Sequence, residues 1–535
     1  MKTKDVETDP AAGSEIDGQV EVRELRRNFN FWSLCGVGLM TGSTWPSLGG
    51  SIAVVIYNGG APGAIYELIA VSCFYWMIAA CIAELSSAIP SSAGVYHFAF
   101  VASGPKHGRA ASWFAGYFNG LAWTFGAASV SSVVANQILA LYQLFHPSYE
   151  EQRWHLFIIY LGFIWISCTI VLFGNRILPI MGDLGASLII IGFLIIVITC
   201  AAMPNRAGAG YADSSFVWSD WVNLTGYSSD AFVFMMGMLN AAYAVGTPDV
   251  VTHLAEEIPE PQKNIPKAIG IQMVIGFVTA FIFLITTFYA VHEPSDLFSP
   301  TSSLFPMVDV FIQATGTKAG ALGLVIVMIA PALFMSVGGF LTASRIVYTM
   351  ARDHGTPFSA TMAQIHPRWE NPFAATLCCA ILSTLMGFIY LGSSTAFYAF
   401  VGCFVNLTIL SYFGAIFPYL ITGRKYVTRG WFRMPNYLFV PLATLSCLYV
   451  VTFFVIFCFP PALPVDAVNM NYTSVMIAGL SALMGIYWFL KARYQYKGPD
   501  DELLQRLTGG NVHVHAAPEE AIFSDGKAEG EHSSA

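Results

Sequence analysis

Long apolar stretches that no charge interrupts constrain this 535-residue chain more than any other feature. About 20 helical residues cross the roughly 30 Å of bilayer hydrocarbon. Runs of that kind fall near 31–57, 62–89, 111–142, 155–174, 178–203, 230–255, 267–291, 319–350, 373–391, 395–421, 436–459 and 473–491. The expectation is an all-α polytopic membrane protein with twelve transmembrane helices. Twelve is even, so both termini belong on one side. Composition agrees, with 55% hydrophobic and 11% charged residues, against about 25% charged in an ordinary soluble domain. A nucleic-acid binder, a secreted disulfide scaffold and a disordered regulator are excluded together.

The ten cysteines all lie in or beside apolar runs, with no zinc-site spacing, and read as packing residues; no metal or other cofactor is expected. Residues 1–28 are polar with no apolar core segment, so no cleavable signal peptide is expected and the first span must direct insertion. Residues 498–535 form a second polar tail. Basic residues set the orientation: of 25, only Arg153, Arg206 and Lys318 fall on the side opposite the N-terminus. Both termini are therefore expected in the cytosol, the plasma membrane being the natural location. The loop sequons at Asn223 and Asn471 then face outside, where glycosylation occurs, whereas a third at Asn406 falls within a span.

Two spans spend mid-helix positions on residues that loosen a helix. The first contains Thr41-Gly42-Ser43-Thr44-Trp45-Pro46 and the sixth Val245-Gly246-Thr247-Pro248. Within lipid each freed backbone group needs another partner. Interruptions at corresponding places in two halves point to an inverted-repeat transporter whose site lies at the midplane. A simple kink is the rival reading for either break taken alone.

Further motifs include Phe31-Trp32-Ser33-Leu34, Ala83-Glu84-Leu85-Ser86-Ser87-Ala88-Ile89-Pro90, Ala351-Arg352-Asp353-His354-Gly355-Thr356-Pro357 and Phe459-Pro460-Pro461-Ala462-Leu463-Pro464. With these, from about Leu25 to Tyr496, the chain resembles the fungal amino acid/choline permeases of the amino acid–polyamine–organocation superfamily, which include GABA and choline permeases. The resemblance implies the bacterial leucine-transporter fold. Repeat one would occupy about 31–203, repeat two about 230–421, and two extra helices 436–491, all within a transporter domain at 29–497.

It also implies a pocket lined by spans 1, 3, 6, 8 and 10. On this chain that means Thr41, Gly42, Ser43, Thr44 and Trp45 from the first break, and Asn240, Tyr243, Ala244, Val245 and Gly246 from the sixth span. Asn119 and Trp123, a helical turn apart in span 3, complete the wall. Trp45 and Tyr243 offer aromatic faces to an ammonium group, worth about 0.5–2 kcal/mol each when desolvated, or serve simply as packing.

Carboxylates inside a bilayer are costly and so informative. Glu84 and Asp183, near the inner ends of spans 2 and 5, are candidates for coupling or gating, or for structural helix-end charges. Asp249 reads as a first-turn acid behind a Thr247 cap and Pro248. Glu257 belongs to a connector with a gating or structural role, and Arg345, Arg352 and Asp353 are either an inner latch or ordinary positive-inside anchors.

The function expected is uptake of a small amine or amino acid by alternating access, with protons as a possible partner and the lipid bilayer as the setting. The chain has no G-x-x-x-x-G-K-[ST] motif, so nucleotide hydrolysis is not the motor. A non-transporting sensor and a membrane-embedded lipid enzyme are the rivals. No H-E-x-x-H or G-x-S-x-G motif supports the enzyme.

Overall fold

Helices account for nearly all the regular structure, and one isolated bridge, Asn58 to Asn223, is the sole β pairing among the described residues. The computed structural model describes residues 29–52, 57–150, 152–206, 210–294, 305–392, 396–466 and 470–499. The N-terminal tail, nearly all of the C-terminal tail and most of the Gly392-Ser393-Ser394 connection lie outside the described residues.

The chain enters through α1 (Phe31–Gly42), which opens on a capping box: the Asn30 side chain accepts from the Ser33 backbone N–H at 2.9 Å, and Ser33 returns the bond to the Asn30 backbone. This end of the bundle is termed the near face and the opposite end the far face. There follow α2 (Thr44–Gly50), α3 (Gly60–Ala88), α4 (Val95–Phe145), α5 (Arg153–Phe173), α6 (Leu178–Arg206), the short α7 (Ser214–Trp218) and α8 (Asp230–Val245). A 3₁₀ turn at Val250–Glu257 leads to α9 (Pro261–Tyr289), α10 (Pro306–Thr315), α11 (Lys318–Arg352), α12 (Phe373–Gly387), α13 (Ala396–Ile421), α14 (Asn436–Ile456) and α15 (Thr473–Tyr487).

Among the described residues ten helical segments are long and apolar enough to cross a membrane, counting Asp230–Glu257 as one. The other two expected spans fall short for separate reasons. The first is split between α1 and α2, and the ninth is represented by the 15-residue α12, continued by Ile389–Gly392. The third span also departs from its expected 111–142. Helix α4 runs for 51 residues, but Gly104 at φ 70° breaks it and Pro105 restarts it. Proline is tolerated in the first turn of a helix, where its missing N–H costs nothing, so this span begins before residue 111.

Two packing groups organise the bundle. Helices α1, α2, α3, α8 and α9 lie against one another, whereas α4, α5, α11 and α12 form a second set; α13 packs along α4 and α6 along α1. Close approach of α1 to its neighbours relies on small residues. A β-carbon on Gly36 would lie 2.8 Å from the Gly182 carbonyl carbon, and one on Gly42 would lie 2.7 Å from the Gln272 amide. Without side chains to separate them the helices settle to backbone contact, the packing mode that membrane helices favour.

Candidate functional site

The two interruptions differ in extent. In the first, Ser43 (φ 11°, ψ 55°) is alone outside the helical region, and its backbone N–H still bonds Leu39 at 2.9 Å. Its hydroxyl donates to the Met40 carbonyl at 2.5 Å. The expected unwinding over Thr41 to Trp45 is thus confined to one residue, because Ser43 can satisfy the loosened turn itself. The second break is wider. Residues 246–249 leave the helix, and the chain resumes as the 3₁₀ turn.

Asp249 lies at that second break and is fully buried. It stands at the N-cap position of the 3₁₀ turn, one residue before the turn begins, and its side chain makes no cap bond. It is instead the hub of three helices. Tyr412 of α13 donates to one carboxylate oxygen at 2.6 Å; on the other converge Asn119 at 2.8 Å and Trp123 at 3.1 Å from α4, with His253 at 3.3 Å. Tyr412 is also within 3.2 Å of the Gly246 carbonyl. Among the described residues His253 is the one ion-pair partner of Asp249, and its charge depends on protonation. A buried carboxylate survives in an apolar interior only when hydrogen-bonded, and the four donors meet that need.

Around the hub several buried polar atoms have no hydrogen-bond partner: Thr41 Oγ1, Asn119 Oδ1, Tyr75 Oη and Gln272 Oε1. Gln272 spans the gap between the breaks, donating to the Thr247 carbonyl at 2.9 Å while standing against Gly42 and Gly38. Tyr75 lies 3.3 Å from where a Gly246 β-carbon would sit. Native structures satisfy most buried polar groups, so such a concentration calls for an explanation.

Farther from the near face, a narrow cleft is lined by Pro46, Ser47, Val130, Val133, Gln137, Tyr243, Met328, Ala332 and Met335. It lies between α2, α4, α8 and α11. Tyr243 bonds Ser129 at 2.9 Å and meets Phe404 edge-on at 5.6 Å, while Phe404 in turn meets Trp123 at 5.9 Å. An aromatic floor thus separates the cleft from Asp249.

Trp45 belongs to neither wall. Its indole donates to the Ile189 carbonyl of α6 at 3.1 Å and its ring packs on Phe283 of α9, so it holds the outer half-helix against its neighbours. Trp45→Phe is expected to cost about 1 kcal/mol of stability, the net worth of one hydrogen bond, and to leave solute affinity unchanged. Thermal denaturation in detergent and a saturation curve would check the two halves of that statement. Asn240 is buried and accepts from Ser51, and Ala244 and Val245 are buried in the last turn of α8. Thr44 turns its hydroxyl back to the Gly42 carbonyl at 3.3 Å.

Of the other acids singled out in the sequence, Glu84, Glu257 and Asp353 join near-face ion pairs and Asp183 does not. Glu84 pairs with Arg424 at 3.2 Å, accepts from Tyr419 at 2.7 Å and from the Met434 backbone at 3.1 Å. Glu257 pairs with the fully buried Arg345 at 3.0 Å, and Arg345 also bonds Asn371. Arg352 pairs with Glu256, and Asp353 with His97 and Tyr96. Through these contacts Arg345, Arg352 and Asp353 join different helices at the near face. Asp183 differs: it is exposed on α6 and forms no described ion pair. Residue hydropathy does not reveal this, since α6 is apolar all round.

The far-face sequons are both engaged. The Asn223 amide donates to the Tyr227 carbonyl and to Asp230, and the Asn471 amide to the carbonyls of Phe457 and Phe459. Asn406 is buried within α13.

Gln272 and Tyr412 were not singled out in the sequence. Gln272 interrupts an apolar run with a polar side chain, a signal that was available. Tyr412 carried none, being one tyrosine among 24.

Interrupted helices buried among continuous apolar ones, with polar groups at the interruption, define a membrane transporter. The chain belongs to the amino acid permease family, whose model matches residues 29–481. It is similar to a choline transporter of Saccharomyces cerevisiae, at 30% identity over 484 residues, covering 90% of this chain and 84% of that one. A 7-keto 8-aminopelargonic acid transporter of the same yeast is 25% identical, over 86% of this chain and 92% of its own. Amino-acid permease BAT1 of Arabidopsis thaliana is 26% identical, over 91% and 97% respectively. The protein is a multi-pass membrane transporter for small molecules and not an enzyme.

Proposed function

We propose that the protein is a secondary active transporter that imports a small amine-bearing solute by alternating access, choline-like compounds first and GABA-like amino acids next. The observation that carries this reading is Asp249: a buried carboxylate at the wider break, bonded by Trp123 and Tyr412, with no arginine or lysine paired to it among the described residues. Negative charge and aromatic faces together suit a cationic nitrogen. The choline relative and the aminopelargonic acid relative carry such a group in the names of their substrates.

On this reading the chain crosses the membrane twelve times in two five-span repeats, and the near face is cytosolic. The division of the helices into two packing groups supports it, since each group draws members from both repeats. The far-face cleft would admit the solute through the aromatic floor. The near-face ion pairs hold the inner side shut and would part as α1, α2, α3, α8 and α9 rock against the other group. Both termini then lie in the cytosol of a cell whose plasma membrane holds the carrier.

The potential is one available motor. Each transported charge gains about 2.3 kcal/mol per 100 mV, or roughly 50-fold accumulation at 1.4 kcal/mol per tenfold. A choline-like cation uses this directly, whereas a zwitterion needs a co-transported proton.

The test is labelled uptake with a competition panel of choline, ethanolamine, GABA, polyamines and neutral amino acids, in cells lacking their own permeases. Competition by amines and by no uncharged analogue supports the reading; specific binding without accumulation would identify a sensor instead. Gly246→Leu should abolish uptake. Even its β-carbon would sit 2.4 Å from the Ala242 carbonyl, so the unwound segment must shift. Uptake normalised to surface-biotinylated protein measures this, and normal uptake would remove Gly246 from the pocket.

A further inference from the structure

Helix α3 carries a second acid that the near-face latch does not involve. Glu67 lies seven residues into α3 from the far end, about 10 Å along the axis at 1.5 Å per residue. It is fully buried, and neither carboxyl oxygen has a hydrogen-bond partner among the described residues. It stands against α8: a β-carbon on Gly237 would lie 2.0 Å from its Oε1. On the far side Trp221 and the Asn58–Gly60 turn close over it, with Trp221 against Gly59 and Gly63, and Gly63 also facing Glu67. That covering is stitched by backbone bonds from Gly59 to Val222 and from Leu224 to Tyr57.

Ionisable groups on the surrounding elements leave it alone. Tyr75 on α3 and Tyr449 on α14 meet edge to face at 5.8 Å. Asp230 at the start of α8 is bonded to Asn223, Tyr66 to the Trp218 carbonyl, and Tyr289 of α9 to Trp218. The lysines of α9, Lys263 and Lys267, lie at its near-face end. Asp220, in the covering loop, would repel a negative charge rather than balance one. An ionised carboxylate with neither donor nor countercharge is the costliest group an apolar interior can hold, and such a group neutralises instead. Contrast Asp249 and Glu84, which have the donors that an anion requires.

We propose that Glu67 is a proton-binding site, loaded from the far-face water, whose occupancy accompanies closure of α8 and the Trp221 loop over α3. The carboxylate takes one proton and becomes neutral; no other bond changes. Because α8 also ends at the Gly246 break, helix movement at the solute site would expose or bury the same carboxyl. This deepens the transporter reading by naming a residue through which external pH enters the cycle, and its coupling half rests on that reading.

The experiment has two readouts that fail separately. In purified full-length protein reconstituted in phosphatidylcholine vesicles at neutral pH, infrared spectroscopy should show a protonated-carboxyl band that Glu67→Gln lacks and Glu67→Asp retains at a shifted frequency. In the same vesicles, the ratio of labelled choline or GABA uptake at acidic to that at neutral external pH should collapse to unity in Glu67→Gln and persist in Glu67→Asp. An unchanged band in Glu67→Gln overturns the proton site. An unchanged pH ratio with the band lost overturns the coupling. If the wild type accumulates no solute, the transporter reading fails while the infrared band still decides the site.

Discussion

Asp249→Asn should abolish uptake of an amine while leaving the protein folded and at the cell surface. The substitution keeps the volume and one acceptor oxygen, so Tyr412, or Asn119 with Trp123, still has an acceptor. What disappears is the negative charge at the break. An Asp249→Ala variant separates the two contributions. It strands the Trp123 indole, at a desolvation cost of about 1–3 kcal/mol, and leaves Asn119 only Ser411 at 3.3 Å and Tyr412 only the Gly246 carbonyl at 3.2 Å, so it should lose stability as well as transport. Uptake normalised to surface protein, together with thermal stability in detergent, distinguishes the outcomes. Undiminished amine uptake by Asp249→Asn would show that the carboxylate holds helices together and nothing more.

The second large effect concerns Arg345. It is fully buried and holds Glu257 at 3.0 Å while reaching Asn371, whose amide bonds the Val171 carbonyl at 2.7 Å. One guanidinium thus ties together the near-face ends of α5, α11, α12 and the 3₁₀ turn after α8. Removing one partner of a buried ion pair leaves an uncompensated charge, typically costing about 3–5 kcal/mol. Arg345→Met should therefore be severely destabilised, as measured by thermal denaturation. The double variant Arg345→Met/Glu257→Leu should recover most of the loss, because it buries no lone charge. Its recovery need not include transport: with the latch replaced by apolar contact, the near face has lost the pair that must break and reform. Equal destabilisation of single and double variants would mean that the arginine acts by packing rather than by charge.

Much of the architecture was readable because it follows from local chemistry. Hydropathy located the spans, and Gly-Ser-Thr-Pro clusters marked both interruptions, since helix loosening depends on the residues at the spot. Gly104 and Pro105 were equally local, and they shift the start of the third span.

Side-chain direction is another matter. Trp45 was expected in the pocket but bonds Ile189 across the bundle, and nothing in a helix apolar on every side says which way its one indole points. Asp249 read naturally as a first-turn acid, since Thr247-Pro248-Asp249 has the composition of a helix start. Its actual partners come from residues 119, 123 and 412, pairings that only the folded topology creates. Asp183 and Glu84 look alike in sequence, each a lone acid near a span end. One is exposed and the other is enclosed by Arg424, Tyr419 and Met434, because α6 presents one side outward while α3 is packed between α8, α9 and α14. Glu67 was legible as an acid in an apolar run, but its isolation depends on Gly237, which sits on another helix.

A solute-bound electron cryomicroscopy map of the full-length protein with choline is the most direct measurement. It should place the cationic nitrogen between the Ser43 and Gly246 interruptions, within contact of Asp249 and the Trp123 or Tyr412 ring. Ligand density elsewhere, with α1–α2 and α8 running on as unbroken helices past these residues, would contradict the account.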